Sequence, residues 1–291
     1  MEFRGKVLTD ANVSSDGCLI LVSTPIGNLD DLSPRVRDAL TRVKQVVAED
    51  TRVYKELMKL AGISLDSVSL HALHDHNQND LAKPLEWLDQ GLEVLLVSDA
   101  GSPLISDPAF PLVRTALAAG HRLDTLPGPS SVLVALELSG LPPHPFTFHG
   151  FMARESGKRK SFFDSTNSLA GTHIVFEAPH RILACVDDLC EMVAPETEIA
   201  IARELTKTFQ TVHRFSAKDW PRIKDEVMVK GEFVLLFHHA HAQKSNGIDS
   251  EMIELAQKFL QKPTTKLSAK LIAKILDADA RDIYTQLTKR D

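Results

Sequence analysis

Two spacings of apolar residues alternate along the first half of the chain. Short apolar runs stand at 18–23 (CLILVS), 45–48 (QVVA) and 94–97 (VLLV), and residues 68–73 and 123–126 have the same character. Such runs predict strands buried on both faces of a parallel sheet. Between them apolar residues recur at three and four positions, the period of a helix with one buried face. The sets are Val36, Ala39, Leu40 and Val43; Val53, Leu57 and Leu60; Leu81, Leu85 and Leu88; Phe110, Val113 and Leu117; and Val132 with Leu136. Ser33 is placed to cap the first helix, Pro34 suits its first position, and Gly62, Gly91 and Gly120 end the next three. Strand and helix thus alternate about five times, which predicts a mostly parallel sheet covered on both faces.

The predicted strands end in short loops: TPIGNL (24–29), EDTR (49–52), HDHN (74–77), SDAGSP (98–103) and PGPSS (127–131). In open α/β sheets ligands sit beyond the carboxyl ends of the strands. The stretch 94–108, VLLVSDAGSPLISDP, is the plainest case. Its glycine lets backbone approach a ligand, and Pro103 stops the strand. Small and hydroxyl residues at several successive strand ends let backbone groups face a ligand without bulky side chains between.

The Pro-rich joint at 141–145 (LPPHP) divides the chain. Beyond it, strands are predicted at 146–148, 172–176, 199–202, 208–215 and 232–237. A helix is predicted with Ile182, Val186, Leu189 and Val193, and a polar, basic, flexible loop at 153–160. Residues 249–291 read as helical, with Leu267, Leu271 and Ile275 on one face and Ile283 and Leu287 on another. The expected fold class is α/β: an N-terminal domain over 17–141, a second α+β domain over 146–241, and a small helical C-terminal extension over 248–291.

Composition narrows the function. The 291 residues are 43% hydrophobic and 25% charged, ordinary values for a soluble globular chain. No apolar run approaches the ~20 residues of a membrane span, and the polar N-terminus lacks a signal-peptide core, so no membrane partner and a cytoplasmic location are expected. Three cysteines, Cys18, Cys185 and Cys190, fit a reducing compartment and lack metal-motif spacing. The net charge of −6 leaves no bulk basic field, so a polyanionic partner would need a local basic patch. None of the 14 glycines stands two positions from another, so no G-x-G exists. That argues against an ordinary dinucleotide site, and no Walker, nucleophile-elbow or kinase motif is present.

Taken together and in order, TPIGNL, AEDTR (48–52), HDHN, SDAGSPLISDP (98–108), PGPSS, EAPHR (177–181), ARELTK (202–207) and KGEFVLL (230–236) are highly specific. Over about residues 19–238 the chain resembles the tetrapyrrole-methylase-like (class III) S-adenosylmethionine methyltransferases. Within them it is similar to the bacterial 16S ribosomal RNA (cytidine 2′-O) methyltransferases. The resemblance implies two α/β domains with S-adenosyl-L-methionine in the cleft between them, and a homodimer. It implies that Pro25, Asp99, Ala100, Gly101, Ser102, Ile105, Ser130 and Ser131 line the cofactor pocket from the first domain, and Ala178 and Ala202 from the second. It also implies 2′-O-ribose methylation of a cytidine in 16S rRNA of the small ribosomal subunit, in the decoding-centre region. Ser102 stands where tetrapyrrole methylases carry Asp, a departure that suits the RNA branch. Gln210, Ala109 and Ser131 are further departures, from Glu, Gly and a small residue.

For such a reaction the protein's tasks are alignment and removal of a proton from a weakly acidic hydroxyl. Carboxylates at strand-end loops include Asp50, Glu177 and Glu204, with Glu49 and Asp75 beside them, and the sequence does not choose among them. RNA must meet positive charge. Arg154, Lys158, Arg159 and Lys160 form the densest basic run, and Arg52, His180, Arg181, Arg203 and Lys207 are further candidates. Phe162 and Phe163 could stack a base, with core packing the simpler reading. The competing expectations are a small-molecule methylase of the same fold acting on a tetrapyrrole, a metal-dependent hydrolase using His71, His74, Asp75 and His76, and a non-enzymatic RNA-binding module. No second ligand cluster completes a metal site, so no metal is expected. The string His238-His239-Ala240-His241 is expected to be exposed.

Overall fold

The computed structural model describes residues 17–73, 80–105, 109–240, 265–276 and 279–288. His74–Asn77, residues 106–108, His241 and residues 249–264 lie outside the described residues. The chain forms two units, one ending at Ala240 and one beginning at His241.

The first unit holds two five-stranded sheets. The first is wholly parallel, built from β1 (Cys18–Val22), β2 (Gln45–Ala48), β3 (Ser69–Ala72), β4 (Glu93–Val97) and β5 (Arg122–Leu126) in the order β3-β2-β4-β1-β5. Its apolar runs serve two faces. Ile20, Leu95 and Val97 pack on α1 (Pro34–Arg42) and α2 (Thr51–Ala61), while Leu19, Val94 and Leu96 pack on α3 (Ala82–Asp89) and α4 (Phe110–Ala118). Strand ends are level: Val22 stands opposite Val97 and Leu126, and Ala48 opposite Val97. The loops that follow β1, β2, β4 and β5 therefore gather along one edge.

Ser33 caps α1 as predicted, its hydroxyl accepting from the Val36 N–H, and Val36, Ala39, Leu40 and Val43 are buried. Two predicted faces are corrected. On α2 the buried stripe is Tyr54, Met58 and Ala61, leaving Val53 and Leu60 exposed. On α4 it is Leu112, Val113 and Ala116, leaving Phe110 and Leu117 exposed. Both helices carry more apolar positions than one face holds, and the sheet takes the centre of the stripe.

The second sheet is mixed. It runs β6-β7-β10-β8-β9, from β6 (Phe146–Phe151), β7 (Gly171–Glu177), β8 (Glu198–Arg203), β9 (Thr211–Ser216) and β10 (Phe233–His239). β6 runs parallel to β7, and the remaining pairs are antiparallel. One face packs on α6 (Ser156–Thr166), α7 (Ile182–Met192) and α8 (Trp220–Ile223). The other receives α5 (Ser131–Ser139), whose Val132, Ala135 and Leu136 meet Ile174, Ala200, Val234 and Leu236. The helix opened by PGPSS thus follows the last strand of the first sheet and packs on the second.

Three expectations change here. The basic stretch 153–160 is no flexible loop, because its last part is the first turn of α6, and Phe163 on that helix is fully buried. β9 begins at Thr211, after a loop in which Glu204 and Thr206 adopt positive φ values of 51° and 63°. The expected exposure of the histidine string is corrected at its first two residues: β10 runs on through His238, half-buried, and His239, buried beside Thr166 and His173, while Ala240 is exposed. Cys18 and Cys185 are buried and Cys190 half-buried, and burial pushes the Cys190 thiol up to about 12.

In the second unit α9 (Thr265–Leu276) and α10 (Ala280–Thr288) pack on one another, and Asp279 caps α10 through the Arg281 N–H. Among the described residues of α9, Ala269 and Ala273 are buried, and Leu267 and Leu271 half-buried. Among the described residues no helix is long and apolar enough to cross a membrane.

Candidate functional site

A cavity of about 420 Å³ opens where the level loop edge of the first sheet faces the second sheet. From the first side it is lined by Ile26, Glu49, Asp99, Ala100, Ile105 and Ser131. From the second it is lined by Phe151, Phe176–Pro179, Leu205 and Gly231–Val234.

The first wall is fixed by neutral hydrogen bonds. Thr24 and Gly101 form an isolated antiparallel bridge, N–H to carbonyl in both directions at 2.9 and 3.1 Å. The Ser98 hydroxyl donates to the Gly101 carbonyl at 2.9 Å, and the Thr24 hydroxyl donates to the Ser98 carbonyl at 3.2 Å. These bonds tie TPIGNL to SDAGSP and leave Asp99 and Ala100 on the cavity. Asp99 accepts the Asp50 N–H at 2.9 Å, and burial pushes its carboxyl above the ordinary value.

The second wall is fixed by charge. Glu177 is 2% exposed, and its Oε1 accepts from the Ala178 N–H at 2.7 Å and from Arg181 at 2.6 Å. Lys207 Nζ lies between Glu204 Oε1 at 2.9 Å and Glu232 Oε2 at 3.0 Å, and Glu204 also accepts the Glu232 N–H. Burial alone would push Glu204 up, but Lys207 and the Glu232 N–H outweigh it and hold the carboxyl below its ordinary value. The buried Arg203 guanidinium donates to the carbonyls of Lys230 and Phe209. The walls meet at Gly27, where a Cβ would stand 2.4 Å from Lys207 Cγ and 2.9 Å from the Leu205 carbonyl. Only glycine permits that approach.

Of the residues expected to hold the cofactor, Asp99, Ala100, Ile105, Ser131 and Ala178 line the cavity. Gly101 holds the loop through its backbone, Ser130 is the residue before α5, and Ala202 is wholly buried behind Leu205 and Val234. Pro25 precedes the lining residue Ile26, whereas Ser102 lies between Gly101 and Pro103, which are not part of the lining. Of the departures, Gln210 accepts the Thr206 N–H through its amide oxygen, and Ala109 sits at φ −81°, where glycine is not required.

The three carboxylates singled out for proton removal each have other work. Asp50 caps α2 and pairs with Arg52, whose hydrogen bond holds it down to about 2. Glu177 anchors the Ala178 loop, and Glu204 anchors Lys207. The expected RNA-binding cations divide. Arg154, Lys158 and His180 are exposed, and Arg52 is exposed while paired to Asp50. Lys160 pairs with Glu191, and Arg181 and Lys207 are partly buried in the wall. Arg159 and Arg203 are corrected: both are buried, Arg159 on Asp188 at 2.5 Å, and a guanidinium so engaged cannot meet a phosphate. The expectations missed Phe151, Phe176 and Glu232. A glycine interrupting the apolar alternation of FTFHGF was the available signal for Phe151.

Among the described residues the lining includes four acids, Glu49, Asp99, Glu177 and Glu232, and no Lys or Arg, although Arg181 pairs with Glu177 and Lys207 with Glu232 from behind. Apolar walls, small residues and acidic groups suit a cationic ligand with an apolar body, such as a sulfonium carrying an adenosyl group, and the volume falls in the ~300–1,000 Å³ range of small-molecule sites. Among the described residues no cluster of metal ligands forms.

The family model for tetrapyrrole (corrin/porphyrin) methylases matches residues 18–221. The chain belongs to that family. It is a methyltransferase with S-adenosylmethionine as its methyl donor, and the cavity fits that group. A ribosomal RNA small subunit methyltransferase I of Xylella fastidiosa (strain Temecula1) is 40% identical over 94% of this chain and 99% of its own. One of Vibrio cholerae is 37% identical over 95% and 97%. Among solved structures, the methyltransferase CobJ covers 78% of this chain and 95% of its own at TM-score 0.56 and 19% identity. A uroporphyrin-III C-methyltransferase of Thermus thermophilus complexed with S-adenosylhomocysteine covers 77% and 97% at TM-score 0.51 and 15% identity. These last two establish likeness of fold.

Proposed function

We propose that this methylase acts on ribosomal RNA of the small subunit, transferring a methyl group to the 2′-oxygen of a cytidine ribose in the decoding-centre region. It works in the cytoplasm as a homodimer. The observation that carries the reading is the likeness, along nearly the whole chain, to relatives named ribosomal RNA small subunit methyltransferase I. The charge layout supports it: acids line the cavity, while Arg154, Lys158 and His180 stand exposed on segments that follow its lining residues. The phosphates of a polyanion are thereby met outside the acid-lined pocket, while a ribose and its base enter the cleft.

The cofactor supplies a methyl group already activated on a sulfonium. Asp99, Ala100, Ser131 and Ala178 hold the donor's site in shape, and the close contact of the walls at Gly27 holds the two sides of the cleft at a set distance, as alignment of donor and ribose requires. As the oxygen–methyl bond forms and the sulfur–methyl bond breaks, the hydroxyl proton passes to a carboxylate at the cleft. The test is mapping of ribose methylation after incubating purified small subunits with labelled cofactor. Incorporation at one cytidine 2′-oxygen is expected. Label on a base alone, or on none of the RNA while a porphyrinoid is methylated, overturns the reading.

A further inference from the structure

Strand β6 reads FTFHGF, and its regular pleat is broken at one point. In an unbroken strand residues two apart share a face, which would put Phe151 on the side of His149. The pairing with β7 goes from Phe148 opposite Ile174 to Phe151 opposite Phe176, so three steps on β6 match two on β7. This is a β-bulge, and Gly150 occupies it at φ 73°, where a side chain would be strained. The extra residue turns Phe151 back to the side of Phe148. Both rings meet Phe176 edge-on, with centroids at 4.8 and 5.3 Å. His149 faces the opposite way, edge-on to Phe162 and hydrogen-bonded to His173. Bulges beside active sites re-aim side chains, and this one aims a phenyl ring into the cleft. The ring lines the cavity and is still 61% exposed.

We propose that Phe151 is the platform on which an unpaired base of the RNA substrate stacks, beside the ribose that receives the methyl group. This rests on the RNA reading above. The ring has a flat apolar face and no polar atom, so it discriminates little among bases but requires one that is unstacked. Its neighbours suit the rest of a nucleotide: Arg154 and His180, exposed on the segments that follow Phe151 and Pro179, can meet phosphate oxygens. Ile105, 39% exposed on the opposite wall, offers apolar surface from the other side.

The test compares Phe151→Leu, which keeps an apolar side chain without a π face, with Phe151→Trp, which keeps the face. The probes are an unstructured cytidine-containing RNA oligonucleotide, purified small subunits and S-adenosylhomocysteine. Phe151→Leu should weaken oligonucleotide binding by about 5- to 100-fold, as loss of one stacked base does, and raise KM for subunits. Its affinity for S-adenosylhomocysteine, thermal midpoint and oligomeric state should match the parent, and Phe151→Trp should bind RNA like the parent. An equal loss of S-adenosylhomocysteine affinity would assign the ring to the cofactor, and a change of oligomeric state would assign it to a subunit contact. Unchanged RNA affinity in Phe151→Leu, with the parent methylating ribose, overturns this inference alone. A parent protein that neither binds RNA nor methylates ribose overturns the RNA reading with it.

Discussion

On the side of the first sheet, the cleft is held by backbone and hydroxyl groups: the Thr24–Gly101 bridge, the Ser98 and Thr24 hydroxyls, and the Asp50 N–H on Asp99. On the side of the second, it is held by ions: Glu177 with Arg181, Lys207 between Glu204 and Glu232, and Arg203 on two carbonyls. The wall of neutral hydrogen bonds can be built from small residues, so it brings backbone close to a ligand, and the charge it adds is that of two acids, Glu49 and Asp99. The ionic wall consumes cations that, in the bare sequence, stand as RNA contacts. Charge in this half of the molecule is first a structural material, and only what remains exposed is open to a substrate.

The sharpest way to break that comparison is to remove a structural cation. Arg159 and Asp188 are nearly inaccessible, and Arg159 also donates to the carbonyls of Ala153 and Arg154. Arg159→Ala leaves the buried Asp188 carboxylate with only the Ser156 hydroxyl at 2.7 Å and Lys160 at 3.7 Å, and should cost about 3 kcal/mol of stability, read by urea denaturation. A variant as stable as the parent with selectively lower RNA affinity would return Arg159 to the RNA surface.

The second sheet should also be the acid-sensitive half. His239 is 6% exposed, and burial, with His173 and His238 adding to it, pushes its pKa down to about 4. Hydrogen bonding fixes which nitrogen of the neutral ring carries the proton: the Thr166 hydroxyl donates to the Phe163 carbonyl and so accepts from His239 Nε2. In the unfolded chain the ring protonates near 6.5, so between about pH 6.5 and pH 4 the unfolded state binds the extra proton. Stability is whole above that window and falls as pH drops through it, by about 3 kcal/mol from this group. Denaturation midpoints at several pH values should trace the fall, and His239→Gln should remove most of that group's share. An unchanged pH slope in the variant would place the acid sensitivity elsewhere.

Thr24→Val tests the neutral wall. It deletes a buried hydroxyl bond while the backbone bridge to Gly101 persists, and should cost about 1 kcal/mol with a measurable loss of S-adenosylhomocysteine affinity by titration calorimetry. A cost as large as that of Arg159→Ala would erase the distinction between the walls.

The first sheet was legible in the sequence because its signals are local. Unbroken apolar runs, Ser33-Pro34 and the Gly-Pro-Ser loops each report their own conformation. Asp99, Ala100 and Ile105 could be placed from one stretch of chain. The second wall depends on long-range pairs. Arg159 finds Asp188, and Arg203 finds the Lys230 carbonyl, across many residues, and nothing beside either arginine announces the partner. Glu232 and Phe151 reach the cavity through a strand end and a one-residue bulge, which periodicity averages away. The helix faces missed on α2 and α4 have the same origin: Val53 and Leu60 are as apolar as Tyr54 and Met58, and only the packed sheet selects between them.

Lys158 and Arg159 are neighbours in the chain, and they mark the boundary between structural and available charge. Arg159 points inward to Asp188, whereas Lys158 is 70% exposed and paired only with Glu155, three residues away. An exposed pair of this kind is worth at most about 0.5 kcal/mol, so Lys158→Ala should leave the denaturation midpoint almost unchanged. If exposed charge is what RNA meets, the same substitution should weaken oligonucleotide binding modestly and lower the slope of log affinity against log salt by about 0.7, one single-strand phosphate contact. The slope separates the two roles better than affinity does. Loss of a phosphate contact flattens it, whereas a folding defect lowers affinity at every salt concentration alike. A parallel shift with no change of slope would show that Lys158, like Arg159, serves the helix and not the substrate.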